Sequence, residues 1–276
     1  MKLIFTSDLH YPITKWDLIQ KLAKDIAGEN PRALVLGGDI GETVRDHRFI
    51  IECIELFVET VGCPILVFAG NHDLWVSPDS KIDSRQIWES KFRKWVEAAG
   101  ARYLEDQNFL YIEEDGRTVA VVGSYLHCDY STKDTIGAVG NLPDDYFWEN
   151  KKRFINDGVY MRGLPNDREF AGEIGRGFLA RLHQTKTADA VVVCTHNPAV
   201  EELIIRRPHD TSWAMSTPYF GNISYQKELA EMKNLKYIIS GHTHVGRRTT
   251  FNGMPAVSLD VDYNAPAYEV IDVHNL

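Results

Sequence analysis

Apolar residues of this chain fall into short runs separated by polar blocks. The runs are rich in β-branched and aliphatic residues and are too short for typical helices, so they predict strands that are buried on both faces. They cover residues 3–5, 33–36, 64–69, 118–122, 190–195, 236–240, 254–259 and 268–273.

Between the early runs the apolar positions change to a helical spacing. In residues 14–27, apolar side chains recur three and four positions apart, and residues 49–61 and 86–98 behave similarly. Alternating strands and helices predict βαβ units in a sheet-centred α/β sandwich. After Lys236 the runs are separated only by turn signals such as Asn252-Gly253, which predicts a β-rich C-terminal part.

One region fits neither pattern. Residues 127–168 mix glycine, proline, aspartate and aromatic residues without a sustained period, and they predict a long loop, an insertion or a lid. The 276 residues are otherwise expected to form a single domain, residues 1–276, because α/β domains of this size are common.

Composition excludes several classes of protein. Apolar residues make up 44% and charged residues 25% of the chain, which is ordinary for a globular protein. A formal charge of -9 disfavours electrostatic binding of nucleic acid or of an anionic membrane over a large surface. Four cysteines without CxxC spacing predict reduced thiols, and the lack of a signal-peptide core or a long apolar run predicts a cytoplasmic location.

Candidate chemistry lies where the apolar runs end. Five runs lead into blocks of aspartate, asparagine and histidine, and such blocks could converge in the crevice beyond the carboxyl ends of the strands. Within two blocks the ligand-type residues are two positions apart, a spacing that aims both side chains the same way from extended backbone. The blocks contain Asp8 and His10, Asp39, Asn71-His72-Asp73, His196, and His242 and His244.

The motifs and their order resemble those of the calcineurin-like metallophosphoesterase family. They are DxH, GD, GNHD, a single histidine after a strand, and GHTH. The resemblance extends from Asp8 to His244 and so covers nearly the whole chain. It implies a four-layer α/β/β/α sandwich, in which two mixed sheets are flanked by helices and a metal site lies at the strand ends.

The resemblance also implies a ligand set for two metal ions. Mixed imidazole, carboxylate and amide ligands suit Mn²⁺, Fe or Zn²⁺, and the family favours Mn²⁺. One ion would be bound by Asp8, His10 and His244, the other by Asn71, His196 and His242, and Asp39 would bridge the two.

The implied activity is hydrolysis of a phosphate mono- or diester of a small substrate by a hydroxide that the two metal ions activate. His72 matches the general acid of the family, and Asp73 is interpreted as the residue that orients its ring. Gly38-Asp39-Ile40-Gly41-Glu42 lacks the GDxVDRG signature of the main protein Ser/Thr phosphatases, which disfavours phosphoprotein substrates.

Other interpretations remain open on the sequence alone. The same fold can serve as a non-catalytic metal-binding scaffold or interaction module, although a scaffold has no need for the complete ligand set. His127 follows a predicted strand and could face the crevice or be structural. Tyr130, Tyr146, Phe147 and Trp148 could stack on a substrate, but core packing is favoured.

Overall fold

Two packed β-sheets form the centre of the chain in the computed structural model. The structure describes residues 1–105, 109–114, 116–135, 137–207 and 209–275. The strands are β1 (Lys2–Thr6), β2 (Ala33–Gly37), β3 (Ile65–Phe68), β4 (Arg102–Tyr103), β5 (Leu110–Glu114), β6 (Arg117–Ser124), β7 (Ala190–Thr195), β8 (Leu235–Ser240), β9 (Arg247–Phe251), β10 (Met254–Ser258) and β11 (Tyr268–Asp272).

Helices flank the sheets and occur in the irregular segments between strands. They are α1 (Trp16–Gly28), α2 (Arg48–Val61), α3 (Ser84–Gln86), α4 (Phe92–Ala98), α5 (Gly137–Gly140), α6 (Asp144–Asn150), α7 (Asp157–Tyr160), α8 (Asp167–Gln184), α9 (Thr211–Ser216) and α10 (Gln226–Glu231). A π-helical turn, Ile87–Lys91, joins α3 to α4. None of the described helices has both the length and the apolar character that crossing a bilayer requires.

Both sheets are mixed, as the resemblance implied. The first has the order β11-β1-β2-β3-β4, and the second has the order β5-β6-β7-β8-β10-β9. In the first sheet β1, β2, β3 and β4 are parallel and β11 is antiparallel to β1. In the second, β6, β7, β8 and β10 are parallel and the two edge strands run antiparallel.

Alternating side chains along each central strand create the four layers. In β1, Leu3 and Phe5 pack between the two sheets, whereas Ile4 packs against α1 and α2. In β7, Val192 joins the core between the sheets and Val191 faces the helical layer that contains α8. The α/β/β/α sandwich is therefore confirmed, and the strands are apolar throughout because both of their faces are buried.

The described residues contain all eight predicted strands and three further strands that were not predicted. These three, β4, β5 and β9, lie at sheet edges. In β9 buried or half-buried side chains alternate with exposed ones, so no continuous apolar run marks the strand. An edge strand of this kind leaves little hydrophobic signal in the sequence.

The three predicted helices correspond to α1, α2 and the continuous segment from α3 to α4, but α8 was not predicted. It is the longest described helix, with 18 residues, and it buries an apolar stripe that includes Phe170, Ile174 and Phe178. Gly172, Gly175 and Gly177 interrupt its pattern. Gly175 is required by packing, since a Cβ there would overlap the Tyr225 ring.

The irregular segment at residues 127–168 contains short helices rather than one long loop. It includes α5, α6 and α7 and ends at the start of α8, with residue 136 outside the described residues. Phe147 is fully buried in a small apolar cluster with Tyr130 and Tyr219. That the segment is an insertion or a lid within a single domain stays a prediction.

The four cysteines are free, as their spacing predicted. Cys53, Cys128 and Cys194 are buried, and Cys63 is half-buried.

A buried ion pair ties α8 to the strand layer. Arg181 donates a hydrogen bond to Glu105 Oε2 at 2.9 Å and another to the Gly123 carbonyl at 3.1 Å. The side chains of Arg181 and Glu105 are only 2% and 3% exposed. Burial raises the pKa of Glu105, and Arg181 acts in the opposite direction. The carboxylate is thus tolerated because the guanidinium lies beside it.

Arg181→Met should lower the free energy of unfolding by about 3–5 kcal/mol near neutral pH, because it leaves a buried carboxylate without its partner. A carboxyl group whose pKa is raised by folding makes the folded state less stable as pH rises through that pKa. Urea unfolding of wild type and variant at about pH 5 and about pH 8 should therefore show the larger loss at the higher pH. Adding Glu105→Gln should recover part of the loss; an equal loss at both pH values would contradict the pairing.

Candidate metal centre

Loops that follow β1, β2, β3, β7 and β8 meet at one crevice at the carboxyl ends of these strands. The predicted ligands lie in these loops and are brought together there. Asp8, His10, Asp39 and His196 are at most 2% exposed, and Asn71 is 6% exposed. The strand register places the blocks side by side, although they are far apart in the chain.

A first group of potential ligand atoms surrounds His10. His10 Nε2 lies 3.1 Å from His244 Nε2 and 3.5 Å from Asp39 Oδ2. His244 Nε2 lies 3.4 Å from Asp8 Oδ1. Asp8, His10 and His244 thus direct one atom each to a common position, as a cation site requires.

A second group surrounds His196. Its Nε2 atom lies 3.1 Å from Asn71 Oδ1 and 3.5 Å from Asp39 Oδ1. The His242 ring packs edge-on against the His196 ring, with 5.0 Å between their centroids. Asn71, His196 and His242 therefore lie together on the other side of Asp39.

Asp39 is shared by the two groups. Its Oδ2 atom faces His10, and its Oδ1 atom faces His196, each at 3.5 Å. A carboxylate with one oxygen directed to each group has the geometry of a bridging ligand.

Hydrogen bonds outside the crevice hold the rings in orientations that suit metal ligation. His10 Nδ1 lies 3.0 Å from Glu42 Oε1, and His196 Nδ1 lies 2.9 Å from the Gly37 carbonyl oxygen. His242 Nε2 lies 3.0 Å from the Tyr219 carbonyl oxygen. When each of these nitrogens donates to its acceptor, the other nitrogen of the ring carries the lone pair that a metal needs. The donor set therefore fits two cations.

The pKa values of the predicted ligands also bear on metal binding. Burial acts to raise the pKa of Asp39, but the nearby imidazoles of His196 and His72 outweigh it and hold the pKa well below its usual value. Burial lowers the pKa of His242 to about 4, and repulsion from His196 adds to this effect. Burial acts to lower the pKa of His196, but the Asp39 carboxylate outweighs burial and raises it to about 9. Asp39 and His242 thus have the protonation states of metal ligands, whereas His196 would release a proton when it binds a cation.

Backbone strain is concentrated at the ligands. Five of the seven predicted ligands have a left-handed backbone conformation, which non-glycine residues adopt rarely and at a cost. They are Asp8 (φ 58°), His10 (φ 47°), Asp39 (φ 51°), His242 (φ 72°) and His244 (φ 52°). The predicted extended backbone is therefore wrong for both the DxH and the HxH pair. Asp8 and His10 nevertheless join the same group, as predicted, whereas His242 and His244 join different groups.

Close approach of the loops also requires a glycine. A Cβ atom on Gly70 would overlap Asp39 Oδ1 and lie 2.7 Å from His196 Cε1. Glycine at this position thus leaves room for the shared carboxylate.

The carboxylate beside His72 is Glu42, not Asp73 as predicted. His72 Nδ1 lies 2.7 Å from Glu42 Oε1. Asp73 instead accepts hydrogen bonds from the backbone amides of Ile40, Gly41 and Gly70 at 2.9, 3.2 and 2.9 Å. Asp73 therefore joins the loops after β2 and β3, and the prediction that it orients the His72 ring is wrong.

His72 lies at the edge of the crevice. Its ring stacks on Trp75 with 3.5 Å between centroids, and its side chain is 17% exposed. Burial acts to lower its pKa, but the Asp39 and Glu42 carboxylates outweigh burial and raise the pKa to about 9. The imidazole is thus held in its protonated form at neutral pH.

Two acidic residues that support the site were not predicted from the sequence. Glu42 accepts from both His10 and His72, and only its position three residues after Asp39 could have drawn attention to it. Asp157 accepts hydrogen bonds from Asn71 Nδ2 at 2.9 Å and from Trp75 Nε1 at 2.7 Å, so it turns the Asn71 amide oxygen towards His196. It comes from the irregular segment, where no local pattern marked it.

His127 is not part of the crevice. It is fully buried, with its ring nitrogens 2.7 Å from Tyr125 Oη and 2.8 Å from Asp167 Oδ1. Tyr130 also donates to Asp167, at 2.6 Å. These contacts match the structural interpretation of His127 and the favoured core packing of Tyr130 and Phe147.

Comparison with known proteins agrees with this geometry. A family model described as calcineurin-like phosphoesterase matches residues 1–246. No curated protein sequence matches the chain. The crystal structure of phosphopantetheinyl hydrolase (PptH) from Mycobacterium tuberculosis superposes with a TM-score of 0.71 at 20% identity, over 94% of this chain and 89% of that chain. The crystal structure of TT1561 from Thermus thermophilus superposes with a TM-score of 0.53 at 13% identity, over 99% of this chain and 98% of that chain.

The two structural likenesses show the fold, and the family model shows the family. Its match to residues 1–246 includes every predicted ligand from Asp8 to His244. The chain therefore belongs to the calcineurin-like phosphoesterase family, a family of metal-dependent phosphoesterases.

Proposed function

We propose that this protein hydrolyses a phosphate ester of a small substrate, as a phosphatase or phosphodiesterase with a binuclear metal centre. The observation that carries the proposal is the Asp39 carboxylate, which directs one oxygen to each of two groups of imidazole, carboxylate and amide donors. Two cations sharing one carboxylate would lie about 3.5–4 Å apart, the spacing used by enzymes that act on phosphates.

Every predicted ligand would bind one of two ions. Mn²⁺ is the proposed metal, with Fe and Zn²⁺ as alternatives, since the donors are mixed nitrogen and oxygen atoms. When bound, the ions supply Lewis acidity towards the phosphate oxygens and lower the pKa of water. The first ion would be held by Asp8, His10 and His244, the second by Asn71, His196 and His242, and both by Asp39.

His72 is the proposed general acid. Its Nδ1 atom is engaged by Glu42, which leaves Nε2 as the nitrogen that can give a proton to the departing oxygen. Stacking on Trp75 keeps the ring in place at the edge of the crevice. Cations at Asp39 would cancel its effect on the pKa of His72, and the Glu42 contact would still favour the protonated ring against burial.

Purified protein reconstituted with Mn²⁺ should hydrolyse p-nitrophenyl phosphate, bis-p-nitrophenyl phosphate or both, and the relative rates would separate phosphatase from phosphodiesterase. Asp39→Asn should abolish most of this turnover and lower the content of both metals, because a neutral amide bridges two cations poorly. Elemental analysis and nitrophenol release measure the two effects. Absence of metal-dependent turnover of either ester would favour the non-catalytic scaffold.

His72→Ala should slow hydrolysis of alkyl phosphates by about 100-fold or more, since an alkoxide needs a proton to leave. Hydrolysis of p-nitrophenyl phosphate should suffer much less, because nitrophenolate leaves readily without one. Steady-state kcat for the two substrates, at matched metal content, gives the comparison. Equal losses on both substrates would remove the general-acid role.

Asp157→Ala should weaken binding of one metal ion by about 10–100-fold, because the Asn71 amide loses the acceptor that orients it. Asp157→Asn is the matched control, since its amide oxygen can still accept from Asn71 and Trp75. Competition with a chelator, followed by metal analysis, measures the affinity. Unchanged binding of both ions by the alanine variant would show that Asp157 does not position the ligand.

A further inference from the structure

A cleft extends from the metal-ligand groups to the irregular segment. Asn71, His72 and His242 line its inner end, and its volume is about 410 Å³. This volume lies within the range of about 300–1,000 Å³ that small-molecule sites occupy. Because His72 lines the cleft, a substrate whose phosphate lies at the metal centre would place its leaving group there.

Two positively charged side chains line the outer part of this cleft. Lys152 and Arg153 are exposed, and neither side chain has a hydrogen bond or ion pair with any residue in the described part of the chain. They follow Lys151 in a short 3₁₀ turn. Two neighbouring positive side chains without ion-pair partners are unusual here, because acidic residues are plentiful in a chain with a net charge of -9.

The turn that carries these cations is anchored from below. Lys151 is buried and forms an ion pair of 2.7 Å with Asp167, the first residue of α8. Asp167 also accepts from Tyr130 at 2.6 Å. The backbone that carries Lys152 and Arg153 is therefore held in place, and binding an anion would restrict the rotamers of these two side chains without reordering the turn.

Aromatic residues also line the cleft. They are Trp75, Phe154, Tyr219 and Phe220, and Trp75 stacks on the His72 ring. The one carboxylate among the described lining residues, Asp157, is 4% exposed and is engaged by Asn71 and Trp75. An anion at the outer end would thus meet two positive charges and little exposed negative charge.

We propose that the leaving group of the substrate carries a second phosphate group, which Lys152 and Arg153 bind at the outer end of the cleft. The spacer between the two phosphates packs against the aromatic lining. A guanidinium can bind phosphate through two parallel hydrogen bonds, and an ammonium adds a point charge. This inference rests on the proposed function and defines its substrate class as bisphosphorylated compounds.

Linear alkanediol bisphosphates of increasing chain length, each compared with its monophosphate, test the inference. In the Mn²⁺-loaded wild type, kcat/KM should be at least about tenfold higher for the bisphosphate at the chain length that spans the cleft, given the strength of charge-assisted hydrogen bonds. The double variant Lys152→Gln/Arg153→Gln should lose this preference and keep its rate with p-nitrophenyl phosphate.

Lys24→Gln/Lys94→Gln is the matched control. It removes the same charge from exposed positions on α1 and α4 that do not line the cleft. This variant should retain the preference, whereas a loss in both variants would point to net charge alone and overturn the inference. A wild type without preference at any chain length, or a preference that survives the cleft substitutions, would also overturn it.

Failure of the proposed function is distinguishable from these outcomes. It would show as no metal-dependent turnover of p-nitrophenyl phosphate by the wild type, whereas failure of the inference leaves that turnover intact and removes only the preference for the bisphosphate.

Discussion

The crevice depends on one electrostatic constraint: two buried carboxylates and several imidazole nitrogens converge, with neighbouring ligand atoms 3.1 to 3.5 Å apart. Asp8 and Asp39 are 1% and 2% exposed, so water cannot screen their charges effectively. Left-handed backbone at five ligands adds a conformational cost. Cations bound in the crevice would offset both costs, and the rigid apolar strands beneath the loops hold the predicted ligands in place when no cation is bound.

Three acidic residues support the site, and each accepts hydrogen bonds from a different kind of donor. Glu42 accepts from the rings of His10 and His72, and thereby couples a predicted ligand to the proposed acid. Asp73 accepts only from backbone amides and fixes the path of two loops. Asp157 orients an amide ligand from outside the sheets. Each carboxylate is buried but satisfied, which the low dielectric of the interior demands.

The irregular segment connects the metal centre to the outer helices. Asp157 accepts a hydrogen bond from the predicted ligand Asn71, and the adjoining turn carries the Lys152 and Arg153 side chains that line the cleft. The same turn is held by the network around Asp167, in which Lys151, Tyr130 and His127 all take part. Because Asp167 begins α8, and α8 packs on the second sheet, the cleft wall is fixed to the core. The predicted metal ligand Asn71 and the positively charged side chains proposed to bind substrate thus share one structural support.

The sequence by itself determined the central strands and which residues are the candidate ligands. Strands buried on both faces must be apolar throughout, and ligands such as Asp39 and His196 must follow them directly, so both leave local signals. Edge strand β9 and helix α8 were harder to predict. Strand β9 has exposed side chains and so no continuous apolar run, and glycines interrupt the helical spacing of apolar residues in α8. Only the tertiary structure decided which carboxylate meets which side chain. Glu42 contacts His72 across a distance of 30 residues and Asp157 contacts Asn71 across 86, and such pairings arise from chain packing rather than from local pattern.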